Sequence, residues 1–524
     1  MKRIILRKDS YYDSVFLMLI SSDIKQMQGV SEAVVAMGTE MNLDLLADMG
    51  LRGPELESAG ANDMIIALEA ADAATCDAAE TAVDEKLRQK ATEGDGERWR
   101  PGSAAAALEA IPEANLVLIS LPGQYAAREA RRALAAGRHV MMFSDNVGLE
   151  DEVALKRLAR EKGLLMMGPD CGTAIVNGKP LCFANVVPPG PVGVVSASGT
   201  GLQEVTSLIA RSGSGISQGI GTGGRDLKSE DVGGITTLMA IEALAADPAT
   251  KVIAVVSKPP APAVAEAVIR ALRETGKPAV VHLIGRVPAQ RSDGPITYAA
   301  SLEDVARTAA ALATDASVRA GRQPRIFDAP DDEIDALVER ETSGISSRQH
   351  FLRGYFTGGT LTDEAVFVLN EQLGGIHSLD PADPAFALED PQVSRDHTIV
   401  DLGEDVFTVG RPHPMIDPSI RSERMLREAE DPDVAVVLLD CVIGYGSHPD
   451  PAGALVPAVQ AMKQAAEKRG GYLAVVASVT GTEGDVQNLS AQRRALETAG
   501  VVVMPSNHQA ARLVGRIMAK LQAR

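Results

Sequence analysis

Aromatic residues make up only 3% of this 524-residue chain, with a single tryptophan, Trp99. Its cores must therefore be assembled from Ala, Val, Leu, Ile and Met, which suits parallel sheets whose central strands read as continuous aliphatic runs. Cysteine is as scarce. Cys76, Cys171, Cys182 and Cys441 are scattered without a CxxC pair, so neither a disulfide framework nor a zinc site organises the fold. A positive surplus is missing as well: the net charge of −19 argues against nucleic acid as a partner and is ordinary for a cytoplasmic enzyme. No apolar run approaches membrane-spanning length. The one after "MKRIILRK", at 15–20, is too short for a signal segment and is flanked by aspartates. The expectation is a cytoplasmic protein with no membrane partner.

What is present is strand–helix alternation. "ANLVLISLPG" (114–123) precedes the helical "QYAAREARRALAAG". "RHVMMFS", a helix over 150–162 and "GLLMMGPD" follow. "KVIAVVSKP" and "PAVVHLIG" flank a helix over 264–275, and "VAVVLLD", "YLAVVAS" and "GVVVMPS" punctuate the last third. This pattern predicts an α/β protein with several doubly wound, mainly parallel sheets, whose ligands bind beyond the carboxyl ends of strands. Composition breaks at 91–104 and from 320 onward read as linkers. The predicted division is a small N-terminal α/β domain (1–95), an α/β domain over 103–185, another over 188–319, a linker over 320–349 and a last domain over 350–524.

The stretch "VSASGTGLQEVTSLI" (195–209) is a small-residue turn between a strand and a helix. Ser198, Gly199, Thr200 and Gly201 would put unpaired backbone N–H groups and a positive dipole end toward an anion such as phosphate; an ordinary N-cap is the alternative. The same pattern returns at an offset of 160. "SGTGLQEVTSLIARSGSGI" (198–216) matches "GGTLTDEAVFVLNEQLGGI" (358–376), with Gly199/Gly359, Thr200/Thr360 and Glu204/Glu364 coinciding. A further match between 245–257 and 429–441 marks a duplicated α/β domain. Gly358, Gly359 and Thr360 are thereby a second candidate phosphate-binding start, expected to face the first across a cleft.

The segments "LPGQYAAREARRALAAGRHVMMFSDNVGLEDEVALKRLAREKGLLMMGPDCGTAIVNG" (121–178), "PVGVVSASGTGLQEV" and "GIGTGGRDL" (219–227) resemble the succinyl-CoA synthetase alpha subunit. With "RGYFTGGTLTDEA", "GRPHPMIDPSIRSER" and "DCVIGYGSHPDPAG", nearly the whole chain from about Ile4 resembles the FdrA family. The resemblance implies a CoA-binding-like Rossmann-type domain at 103–185 and two flavodoxin-like CoA-ligase-type domains. It also implies that Asp170 and Cys171 of "MGPDCG" line a cofactor pocket. Three family features are missing. The stretch 285–306 contains no histidine where a phosphocarrier turn belongs, no Gly-rich CoA loop precedes Ser103, and no nucleotide-binding module precedes the second copy. His282, in an apolar strand, reads as a core residue. FdrA-like proteins are associated with oxamate carbamoyltransferase, acting with other subunits on carbamoyl phosphate and oxamate. CoA and Mg²⁺ stay open as cofactors.

Six of the eight histidines lie from His350 onward. Arg411 and His413, in a proline-rich loop with Asp417 and Arg421, are candidates for contacting substrate carboxylate or phosphate. His448 follows a buried strand and is a candidate donor or general acid. Adjacent Ser447, His448 and Asp450 do not make a triad. Cys171, with an acidic neighbour, reads as a packing or pocket residue rather than a nucleophile. Thr480, Thr482, Glu483 and Asp485 read as a solvated loop, with Mg²⁺ the alternative. Three functions compete: a phosphate-linked carbamoyl or acyl transferase subunit, an acyl-CoA synthetase completed by a partner subunit, and a non-catalytic scaffold.

Overall fold

The computed structural model describes residues 1–524 except 11, 52, 94–100, 287–289, 315–329 and 409–410. The chain divides into two compact units, one formed by 1–103 with 405–413 and the other by 104–404 with 414–524.

The first unit has strands β1 (Lys2–Arg7), β2 (Val30–Met37) and β3 (Met64–Ala70) and helices α1 (Ser14–Lys25), α2 (Glu40–Asp48) and α3 (Ala73–Glu93). The sheet is antiparallel in the order β1-β3-β2. Along β2 alternate residues Ala33, Val35 and Met37 face inward, the period-2 pattern of a half-buried strand. They meet Leu17, Ile20 and Ile24 of α1 and Val83 of α3 in one core. β1 lies inside the basic "MKRIILRK", whose charges conceal a strand pairing along its whole length with β3.

The second unit begins with α4 (Ala104–Ala110) and a parallel three-stranded sheet, β4 (Leu116–Ile119), β5 (His139–Met142) and β6 (Met166–Met167), carrying α5 (Gly123–Ala135) and α6 (Leu149–Lys162). The first duplicated domain follows: β7 (Thr173–Val176), β8 (Lys179–Cys182), β9 (Pro189–Ser196), α7 (Gly199–Arg211), β10 (Ile216–Gly221), α8 (Arg225–Lys228), α9 (Ile235–Ala246), β11 (Val252–Ser257), α10 (Pro262–Glu274), β12 (Ala279–Leu283), β13 (Ser292–Asp293), β14 (Ile296–Tyr298) and α11 (Leu302–Ala313). Helix α12 (Asp331–Thr342) stands where a linker is predicted. Its acidic first turn dominates the composition, while Ile334 and Val338 recur at helical spacing and are buried. The second copy comprises β15 (Phe351–Phe356), α13 (Gly359–Leu373), β16 (Thr398–Asp401), α15 (Ser419–Glu428), β17 (Val434–Val442), α16 (Pro451–Lys468), β18 (Ala474–Thr480), α17 (Leu489–Thr498), β19 (Val502–Met504) and α18 (Asn507–Gln522). The short α14 (Asp405–Thr408) belongs to the first unit. Of the two predicted linkers, residues 94–100 and 320–329 lie outside the described residues.

Topology makes the duplication concrete. The first copy has a parallel core ordered β10-β9-β11-β12-β14, and the second is ordered β16-β15-β17-β18-β19. Both are the 2-1-3-4-5 order of flavodoxin-like sheets, with the switch point between the first two strands. Leu202, Val205 and Leu208 of α7 share one hydrophobic core with Leu361, Ala365 and Leu369 of α13 and Leu513 and Val514 of α18, so the two copies close on each other through their helices.

Candidate functional site

Each copy carries its first helix straight off the carboxyl end of its first strand. In the first copy Ser198 is the N-cap of α7, its side chain accepting from Gly201 N at 3.1 Å. In the second, Gly358 is the N-cap of α13 and supplies no side-chain cap, so the orphan amides of that first turn stay available. The two starts touch rather than face each other across a gap. Thr360 Oγ1 donates to Ser198 Oγ. A Cβ on Gly358 would lie only 2.7–2.9 Å from Thr200, so glycine is what admits the Thr200 side chain. The turn before α13 is braced from behind: Thr357 donates its amide to both oxygens of Asp440, at 3.1 and 2.9 Å, and its hydroxyl at 3.2 and 3.1 Å. Arg421 binds Asp440 at 2.5 Å. Arg421 is thus a buried residue of α15, not a member of an open loop with Arg411 and His413.

Beside this junction lies a charged group that motif reading did not single out. Lys258, at the carboxyl end of β11, holds Nζ 2.6 Å from where a Gly359 Cβ would be, over the start of α13. Its ammonium is 3.5 Å from Asp363 and 3.9 Å from Glu404. Burial alone would lower its pKa, but Asp363, Asp401, Glu404 and Asp170 together hold it above its usual value. Burial pushes Asp401 up to about 7; Glu404 and Asp440 reinforce this and Lys258 opposes it. Asp363 is raised by burial against the pull of Lys258. The available sequence signal was position alone: Lys258 ends "KVIAVVSK" and Asp401 ends "TIVD", at strand termini where α/β sheets place ligands.

A reciprocal pair lies behind the junction. Glu204 of α7 accepts from Asn507 N at the start of α18, at 3.2 Å, and from Thr480 Oγ1 at 2.6 Å. Glu364 of α13 accepts from Leu302 N at the start of α11, at 2.8 Å, and from Asn507 Nδ2 at 2.9 Å. Each copy's first helix caps the other copy's last. Burial raises both carboxyls, Glu364 to about 8.

The remaining candidates spread out. Asp170 is exposed at φ +56° and acts electrostatically on Lys258. Cys171 is buried, its thiol directed at Gly221 O and Thr173 O and pushed up to about 12 by burial. That is the state of an inert thiol. His282 is buried in β12, on Ala299 O at 3.0 Å. His448 follows β17; its Nδ1 accepts from Asp450 N at 3.0 Å while its own amide donates to Met415 O, and Asp450 caps α16. Arg411 is exposed, and burial pushes His413 down to about 4. Both belong to the first unit, whereas the helix starts and His448 belong to the second. Asp485 is buried, not solvated: it binds Asn185 Nδ2 at 2.8 Å and Val186 N at 2.7 Å, tying the copies together.

Two groups can be tested against these residues. Among the described residues no three His, Cys, Asp or Glu side chains converge on a metal position; the carboxylates around Lys258 are organised by its ammonium. A diphosphate does not fit at the start of α5, the usual seat in a strand–turn–helix unit. A Cβ on Gly123 would lie 2.4 Å from the carbonyl oxygens of both Asp145 and Asn146, so acceptors already close over it.

Comparison with known proteins agrees with this architecture. Residues 1–101 match the AllF heavy metal-associated domain, 188–285 a CoA binding domain and 355–517 a CoA-ligase domain. YahF of Escherichia coli (strain K12), an uncharacterized protein, is 43% identical over 509 residues, covering 96% of each chain. This chain belongs to the YahF family. The match to succinate–CoA ligase [ADP-forming] subunit alpha 1 of Archaeoglobus fulgidus is 28% identical over 184 residues, 34% of this chain and 61% of that one. Malate–CoA ligase subunit alpha of Methylorubrum extorquens is 28% identical over 169 residues, 31% and 55% respectively. A solved structure, the dinucleotide-forming acetyl-coenzyme A synthetase 1 of Ca. Korarchaeum cryptofilum in complex with phosphate and ADP, covers 78% of this chain and 83% of its own at 15% identity and a TM-score of 0.32. The YahF-family chain is thus an α/β protein that carries a CoA binding match and a CoA-ligase match. Its CoA-binding match falls on the first duplicated domain rather than on 103–185. No helix among the described residues is long and apolar enough to cross a membrane.

Proposed function

We propose that this protein is one subunit of a phosphate-linked acyl or carbamoyl transferase, acting like oxamate carbamoyltransferase on carbamoyl phosphate and oxamate to give oxalurate and phosphate. The observation that carries the reading is the meeting of two helix starts beside Lys258, in a chain without a histidine where a phosphocarrier would stand. Transfer from an acyl phosphate does not require a covalent phosphoenzyme. It requires donors on the departing phosphate and on the oxygen that gains charge at the carbonyl, and a base for the attacking nitrogen. Ser198–Gly201 and Gly358–Thr360 supply backbone and hydroxyl donors, and Lys258 supplies a cation. Asp401, titrating near neutrality, is the candidate base. His448 remains a candidate donor or general acid, and Asp170 and Cys171 candidates for the pocket wall; Arg411 and His413, of the first unit, remain candidates for contacting a substrate carboxylate or phosphate. The reading expects small anionic substrates, further subunits and action in the cytoplasm.

The CoA binding match favours a second reading, an acyl-CoA synthetase subunit completed by a partner that carries the phosphocarrier. Thermal stability with carbamoyl phosphate, phosphate, CoA and ATP added singly separates the two, because a ligand that binds only the folded state raises the Tm by mass action. The transferase reading expects a rise with carbamoyl phosphate or phosphate that is lost in Thr200→Val and Thr360→Val. A rise with CoA alone returns the protein to the synthetases, and no rise with any of them favours the scaffold.

A further inference from the structure

The chain passes from one unit to the other at 103–104, 404–405 and 413–414. The second of these crossings falls inside the candidate site. Asp401 ends β16 in the second unit, and Leu402 after it is 1% exposed with its amide on Phe356 O at 2.9 Å. Gly403 donates its amide to Asp401 Oδ1 at 2.8 Å. Glu404 comes next, and its carboxylate stands 3.9 Å from the Lys258 ammonium. The residue after it, Asp405, opens α14 and belongs to the first unit. The buried residue of α14 is Phe407, 4% exposed, while Val406 beside it is 52% exposed.

Glu404 is therefore fixed along the chain between two buried anchors, Leu402 in the second unit and Phe407 in the first. A helix of four residues is far too short to persist by propensity, so α14 keeps its place through what Phe407 buries. Heavy-metal capture does not explain why the first unit is present. Soft metal ions take thiolate or imidazole ligands, and residues 1–101 contain no histidine and only Cys76, which is fully buried. Several of the unit's carboxylates are engaged by its own cations: Asp77 and Glu80 by Arg3, Asp84 by Arg7 and Asp63 by Lys8. What the unit does contain is the segment joined directly to Glu404.

We propose that the first unit holds Glu404 beside Lys258 through α14, with Phe407 as the positioning residue, and so sets how far the Lys258 ammonium is neutralised at the candidate site. Asp363 and Asp401 reach Lys258 from within the second unit, whereas Glu404 depends on both units for its position. The coupling stands on this geometry alone. Its consequence for catalysis rests on the transferase reading, which makes Lys258 the cation of the site.

The test is the rate at which acetic anhydride acetylates Lys258 in the full chain at one mildly alkaline pH, read by peptide mass spectrometry. Only the uncharged amine reacts, and Glu404 helps to keep the amine protonated, so loss of Glu404 speeds labelling. Glu404→Gln is expected to raise the rate roughly two- to five-fold, the range of a partly exposed ion pair. Phe407→Ala is expected to give the same rise, and the double variant no more than either single one. Insertion of two glycines between Glu404 and Asp405 uncouples the units without removing a buried side chain, and it should match Glu404→Gln. Lys156, fully buried on Glu152 and Asp226, stays unlabelled while the second unit is folded. If the insertion and Phe407→Ala label like wild type, or if Glu404→Gln itself changes nothing, the coupling is overturned. It is overturned equally if the effects of Phe407→Ala and Glu404→Gln multiply. Should Phe407→Ala fail to fold, the insertion alone decides. The transferase reading has its own arm: carbamoyl phosphate or phosphate should protect wild-type Lys258 from acetylation. Absence of protection removes Lys258 from substrate binding and leaves the coupling standing.

Discussion

At the scale of single residues, the chemistry at this junction is set by what burial does to ionisable groups. Asp401 sits at the end of β16 with one oxygen on Gly403 N at 2.8 Å and a pKa of about 7. It is neutral below that pH and a carboxylate above it. As the base of the transfer it would make activity climb as pH rises through about 7. In Asp401→Asn that climb is expected to vanish and the rate to fall by roughly a hundred-fold or more, the usual contribution of a positioned base. A pH–rate profile of the assembled enzyme measures both, and an unchanged climb in the variant removes Asp401 from the mechanism. Lys258 and Asp401 were legible only as strand-terminal polar residues, because their partnership crosses from one copy to the other. Cys171 and His282 were legible from type and neighbours, since an apolar setting keeps a thiol protonated and an imidazole neutral.

At the scale of elements, the strand–turn–helix units follow from local pattern. Small residues at 196–201 and 357–360 leave room for tight turns, and apolar residues at helical spacing follow each. What local pattern does not carry is the exchange of caps by Glu204 and Glu364. Below about pH 4.5, the ordinary value for this carboxyl, Glu364 is protonated in both folded and unfolded chains. Between there and about 8 the unfolded chain ionises while the folded one keeps its proton. The folded state binds more protons over that range, so stability is expected to fall as pH rises across it and to level off above it. Glu364→Gln, which imitates the protonated acid, should flatten that slope and raise the Tm at pH 8 relative to wild type. Thermal melts of the full chain at half-unit pH steps check this; an identical slope in the variant assigns the pH dependence elsewhere. Helix α12 shows the opposite failure of local reading. Its acidic first turn resembles a linker by composition, but the same charges favour a helix N-terminus, and buried Ile334 and Val338 anchor it.

At the scale of the whole molecule, duplication is the organising fact, and its consequence is the contact between Thr200 and Gly358. Gly358 has φ −132°, an ordinary extended value, so its requirement for glycine comes from the neighbour and not from the backbone. Gly358→Ala is expected to cost about 1–3 kcal/mol by overpacking. Part of that should return in a Gly358→Ala, Thr200→Ala double variant, which removes the methyl and hydroxyl at 2.7 and 2.8 Å from the new Cβ but keeps the residue 200 Cβ at 2.9 Å. Denaturant unfolding of the four combinations measures the coupling. Strict additivity would mean that the two helix starts are not in contact in solution.

The sequence by itself determined the fold class, the repeat and the helix starts, because each is written in local periodicity, small-residue turns and a constant offset between similar segments. Only the tertiary structure decided that the two starts touch and that Lys258 and four carboxylates gather beside them. Those relations join residues far apart in the chain through the packing of one copy on the other. Hydrophobic burial drives that packing without naming partners in advance, so it leaves no periodic trace in the sequence.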